Sequence, residues 1–163
     1  MNLLIPLLSW LMTAWIARVF LVSLTYKFTD APETVHIFST IGAWISETVN
    51  QQLGDFFATY GGYVTGTAEL LTSIILLLPA LLWVLYKADL VESSQRAKFH
   101  RIGGAMAALI MLGAVSFHLI TPLGIEVLHE GQSDGGSLFF TGVSILIMGI
   151  IMVLINRPKK RTL

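Results

Sequence analysis

The chain contains no cysteine. That absence excludes thiol redox catalysis, disulfide exchange and thiolate metal sites. Charge is scarce as well: 12% of the 163 residues are Asp, Glu, Lys or Arg, about half the share found in a soluble domain. Ten basic residues balance ten acidic ones, so there is no positive excess to attract nucleic acid. Only Met1 and Asn2 precede the first apolar run, so the basic segment that opens a secretory signal is missing. No small-x-small cleavage pattern follows Trp15 before Arg18, and the run is expected to be retained as a membrane span. Internal repeats, low-complexity tracts, phosphate-binding glycine loops, nucleophile–base motifs and paired acids for hydrolysis are also missing.

What remains is largely apolar: 55% of the residues are hydrophobic and the mean hydropathy is +0.75. The length fits one domain, residues 1–163, whose apolar surface faces lipid. Four stretches are long enough to cross a bilayer, at about 3–26, 62–86, 102–121 and 138–155. The charges between them sort by side. Lys87, Arg96, Lys98 and Arg101 fall between the second and third stretches, and Arg157, Lys159, Lys160 and Arg161 follow the fourth. Asp30, Glu33, Glu47 and Asp55 lie between the first and second, with Glu126, Glu130 and Asp134 between the third and fourth. Basic short loops stay in the cytoplasm, which puts both termini and the loop 87–101 inside and the acidic loops outside.

The segment 31–60 differs from the spans. Ile37, Phe38, Ile41, Trp44, Ile45, Val49, Leu53, Phe56, Phe57 and Tyr60 recur at helical spacing, with Thr34, Glu47, Asn50, Gln51, Gln52 and Asp55 opposite them. Pro32, flanked by Asp30 and Glu33, marks a helix start; Gly42 is expected to bend the segment and Gly54 to break it. The expected fold is an all-α membrane protein with four transmembrane helices and an extracytoplasmic amphipathic segment between the first and second. That segment's acidic polar face favours a cap on the bundle over adsorption to anionic lipid.

Arg18 and Glu69 are charges inside spans, where an ionisable group usually faces the bundle and finds a partner. Arg18 lies nine residues from Lys27, about 13 Å along a helix; Glu69 lies seven residues from Gly62, about 10 Å. Matching depth on sequential helices predicts an Arg18–Glu69 pair, which either fixes helix register or forms part of a site. His118, three residues before the end of the third span, belongs to the same outer layer. It either joins that site or reaches interfacial water, and Lys27 is expected to snorkel to the interface. Tyr26, Tyr63, Thr65, Ser116 and Thr141 fall in the same layer. His36, His118 and His129 share the outer side but show no ligand spacing, so no metal is expected. Haem between spans needs two facing histidines, and His118 alone is intramembrane. The stretch Glu130–Gly136 lacks the carboxylates of a calcium loop and reads as a turn in which Ser133 or Asp134 starts the fourth span.

An ordered series of residues gives the chain a family likeness. It comprises Arg18, the run Lys27–Glu33 followed by His36-Ile37-Phe38, and Gly66-Thr67-Ala68-Glu69-Leu70-Leu71. Further on come Phe117-His118-Leu119, Gly124–Val127 and Asp134-Gly135-Gly136 before Leu138-Phe139. From Arg18 to Ile155 the chain resembles the DoxX-like family of small bacterial four-helix membrane proteins. It departs from compact members in the outer segment Trp44–Tyr60 and in its extended inner loop. The resemblance implies a bacterial inner-membrane protein, and some relatives are linked to quinone-coupled sulfur oxidation or membrane oxidoreductase assemblies.

The first functional expectation is a membrane subunit that binds a quinone or another lipophile, with a redox partner protein supplying the electron-carrying cofactor. The second is a non-catalytic scaffold or stress-related factor acting through its outer segment. The third is a small-solute transporter, for which four short helices enclose little room without homo-oligomers.

Overall fold

In a computed structural model, residues 3–91 and 95–158 are described; Lys159, Lys160 and Arg161 and the side chain of His129 lie outside the described set. Five helices account for most of the chain: α1 (Leu4–Lys27), α2 (Pro32–Thr48), α3 (Gln51–Lys87), α4 (Arg96–Ile120) and α5 (Ser137–Ile155). All but α2 are long and apolar enough to cross a membrane. A two-residue hairpin, β1 (Leu128–His129) and β2 (Gln132–Ser133), precedes α5. Its loop residues Glu130 and Gly131 both have positive φ, the geometry of a tight hairpin turn.

The buried face of α1 shows why these helices associate. Ser9, Met12, Thr13, Ile16, Ala17 and Phe20 form a stripe three and four residues apart. Leu4, Leu7, Leu8, Leu11 and Val22 stay exposed, an apolar exterior suited to lipid. Met12, Ile16 and Phe20 join Leu76, Ala107, Met111, Ile145 and Met152 in one core. α1 packs on α3, α3 on α4, and α4 on α5. The α4–α5 crossing depends on small residues: a Cβ added at Gly149 would lie 2.5 Å from the Gly104 carbonyl oxygen and 2.9 Å from the Ala108 nitrogen. Backbones can approach this closely only where side chains are missing.

Segment 31–60 is organised differently from the sequence expectation. Its break falls at Val49–Asn50, where the Asn50 side chain accepts a hydrogen bond from the Leu53 amide and starts α3. From there α3 continues unbroken through Gly54, Gly61 and Gly62, so the second half of the segment and the second apolar stretch are one 37-residue helix. Gly42 and Gly54 mark the α2–α3 crossing: a Cβ on Gly42 would stand 2.7 Å from the Gly54 carbonyl oxygen. The α2 face buried by this packing comprises Thr34, Phe38, Ile41, Gly42 and Ile45. Thr34, expected on the polar side, is therefore buried, with its methyl next to Gly62.

Candidate functional site

The bundle closes at the end where α1 starts and α5 finishes, and opens at the end covered by α2. At the closed end the Asn156 amide donates to Ser9 Oγ at 3.0 Å and its carbonyl oxygen accepts from Arg96 at 3.0 Å. At the α2 end a cavity of about 860 Å³ lies between the long helices and the underside of α2. Phe38, Ile41, Phe57, Phe117 and Phe139 form much of its apolar lining. Phe57 bridges the roof, its ring centroid 5.7 Å from that of Phe38 and 5.2 Å from that of Phe117.

The polar corner of the cavity is built from the last turns of α1 and the middle of α3. Lys27 Nζ donates to Glu69 Oε2 at 2.6 Å and Oε1 at 2.8 Å, and to Ser23 Oγ at 3.1 Å. Ser23 lies 2.6 Å from Glu69 Oε2 and 2.8 Å from the Phe20 carbonyl; of the two, the carboxylate is the stronger acceptor for its single proton. Glu69 is 2% exposed, so its charge depends on this contact, because a buried carboxylate without a partner is costly. Gly66, one turn before Glu69, allows the junction: a Cβ there would press on Phe28 at 3.1 Å and Lys27 at 3.3 Å.

Glu69 therefore pairs with Lys27, and not with Arg18 as depth alone suggested. The reason is azimuth. At 3.6 residues per turn, nine residues carry Arg18 about 180° around α1 from Lys27. Ser23 and Lys27 continue the buried stripe that ends at Phe20, whereas Arg18 is exposed and packs over the Trp15 ring at 5.9 Å. Arg18 nevertheless lines the same cavity, as do Tyr26, Thr65 and Thr141. Two other members of the expected polar layer point elsewhere: Tyr63 donates to Asp30, and Ser116 donates to the Leu112 carbonyl.

His118 is 9% exposed and reaches the cavity from α4. Its Nδ1 lies 2.7 Å from the Gly124 carbonyl oxygen, which can only accept, so Nδ1 carries a proton. In the neutral ring this leaves Nε2 as an acceptor. The loop that supplies Gly124 is anchored by Asp134. One Asp134 oxygen accepts from the amides of Val127 and Gly136, the other from the amide of Leu138 and the Ser137 hydroxyl. Burial pushes this carboxyl up, but the Leu138, Val127 and Gly136 amides and the Ser137 hydroxyl outweigh it and hold it below the usual value of 3.8.

Two buried or half-buried polar residues, Ser23 in the cavity and His100 at the closed end, carry little sequence signal. Ser23 is an ordinary serine in an apolar span, and its four-residue spacing from Lys27 is the sole hint of its role. His100 sits among Arg96, Lys98 and Arg101, so it reads as part of a solvated basic loop. It is instead fully buried, edge-on to Trp10 at 4.7 Å. Among the described residues, no three His, Asp or Glu side chains converge as metal ligands.

Compared with known proteins, the chain matches no family model, no curated protein and no solved structure. Its class rests on the fold: an all-helical bundle with four helices long and apolar enough to cross a membrane.

Proposed function

We propose that this chain is a multi-pass protein of the bacterial inner membrane that binds a lipophilic molecule, a quinone or another apolar compound with a polar head, as the membrane subunit of an oxidoreductase system. Both termini face the cytoplasm and α2 caps the bundle on the outer side. The sorting of basic and acidic loops supports the orientation. The observation that carries the binding reading is the cavity of about 860 Å³, apolar over most of its wall, with Ser23, Lys27, Glu69 and His118 on its lining. Pockets of this size and composition suit small apolar ligands whose polar atoms meet a few fixed groups. The likeness to the DoxX-like family points the same way.

The test is mass spectrometry of what remains bound after gentle purification in detergent. A lipophile present at one per chain is the expected result. A Gly113→Trp variant should lose it, because Gly113 lines the cavity and a side chain there starts in open space. Bulk phospholipid alone in both samples overturns the binding reading and favours a scaffold.

A further inference from the structure

Arg18 is a charge that the ion pair does not use. Its guanidinium lies over Trp15, 5.9 Å from the ring centroid. Trp15 is three residues closer to the start of α1, so the side chain bends away from the α2 end. A lean toward the preceding turn is the ordinary direction for a helical side chain, and it carries the guanidinium closer to the closed end than its own Cα. Trp15 is itself held in place, because its indole nitrogen donates to Ser144 on α5 at 3.3 Å. Arg18 thus rests on a fixed aromatic platform at the seam between α1 and α5.

No described carboxylate or carbonyl takes a hydrogen bond from this guanidinium. Its five N–H groups are arranged as a planar fork. Elsewhere in the cavity the strong donors are committed: Lys27 to Glu69 and Ser23, and His118 Nδ1 to Gly124. Arg18 is exposed and yet lines the cavity, which puts it at the rim. A guanidinium with an aromatic face on one side and its fork of N–H groups turned to the cavity rim is suited to an anionic head group.

We propose that Arg18 is the head-group site of the cavity and binds the carboxylate of a long-chain carboxylic acid, whose chain lies in the apolar cavity. The carboxylate matches the fork with two parallel N–H···O bonds. The bent-back side chain places the fork below the layer where phospholipid phosphates reside, which favours a free acid over a phospholipid as the source of the anion. The proposal rests on reading the cavity as a lipophile site and narrows the ligand to an acidic one.

The test compares palmitate with methyl palmitate, which has the same acyl chain without the charge. Binding is measured on the full-length protein in detergent, with decylubiquinone and phosphatidic acid as competitors. Wild-type protein should prefer palmitate by about tenfold or more. Arg18→Gln should abolish that preference by lowering palmitate affinity far more than ester affinity, and Arg18→Lys should restore part of it. Equal binding of acid and ester by wild-type protein overturns the proposal without relying on any variant, as does a preference that survives in Arg18→Gln. Displacement of palmitate by phosphatidic acid but not by decylubiquinone assigns the anion to a phospholipid and also overturns it. If none of the probes binds, or if Gly113→Trp binds them as well as wild type, the lipophile reading itself has failed.

Discussion

The two ends of the bundle hold buried polar groups in opposite ways. At the closed end they are mostly neutral: Ser9, Asn156, Thr13 and His100 are buried, and Arg96 reaches in to Asn156. The helices there come together through small residues, as at Gly104 and Gly149, and through the Trp10–His100 contact between α1 and α4. At the α2 end the buried polar groups include an ion pair that joins α1 to α3. His118 and Asp134 organise the loop between α4 and α5 separately. Aromatic side chains from α2, α3, α4 and α5 line the space between these two units. A cavity is thus built where bulky residues and a local ion pair replace close backbone contact, and the closed end serves as its fixed base.

Breaking the ion pair should have the largest effect. Glu69→Ala strands the Lys27 ammonium in a mostly buried position and should cost about 3–5 kcal/mol of unfolding free energy, read by denaturant titration in detergent. Lys27→Met with Glu69→Leu should recover most of that loss, since an apolar pair of similar size also fills the site. If the double variant is as unstable as Glu69→Ala, the pair is not an isolated unit and the contrast between the two ends weakens. The glycine crossings come next. Gly149→Leu should cost about 1–3 kcal/mol by overpacking and loosen the bundle as a whole, because the Gly104 and Ala108 backbones have no room to yield. Gly54→Ala presses on Ser46 and the Gly42 carbonyl. It should free α2 while leaving α4 and α5 protected in hydrogen exchange. Global loosening from Gly54→Ala would show that α2 is part of the base.

Much of this contrast was legible before the structure, but one dimension was missing. Four apolar runs of about 20 residues identify membrane-length helices because every backbone group in lipid must be bonded within its own segment. Depth along each run also follows from counting residues, which placed Lys27, Glu69 and His118 in one layer. The azimuth of each side chain depends on which face packs inward, and α1 is apolar all round, so its buried stripe is hard to see. The Ser9–Phe20 stripe was the available cue, and it leads on to Ser23 and Lys27 rather than to Arg18. The length of α3 was hidden for a related reason. Gly54 reads as a break in isolation, and the second span was expected to start only at about Gly62, yet Gly54, Gly61 and Gly62 are packing sites where Ser46, Phe38 and Thr34 sit close. The cavity was foreshadowed by its polar layer alone, because its walls come from all five helices and the α4–α5 loop.

The smallest expected effect concerns Asp134 and is confined to the α2 end. Its carboxylate accepts three backbone amides and the Ser137 hydroxyl, and its pKa is held below the ordinary 3.8. A carboxyl with a depressed folded-state pKa contributes stability that is fully present above its unfolded value and is lost as pH falls through the folded one. At neutral pH, Asp134→Ala should therefore cost about 1 kcal/mol, the usual worth of a carboxylate that caps backbone amides. The difference between variant and wild type should hold steady down to the ordinary carboxylate range, then shrink toward zero below it. The same variant should raise hydrogen exchange at Val127, Gly136 and Leu138 while leaving the Asn156–Ser9 latch protected, because no hydrogen bond of Asp134 reaches that end. Exchange that rises equally at both ends would mean that the α4–α5 loop supports the closed base as well as the cavity, and the division between the two ends would then have to be redrawn.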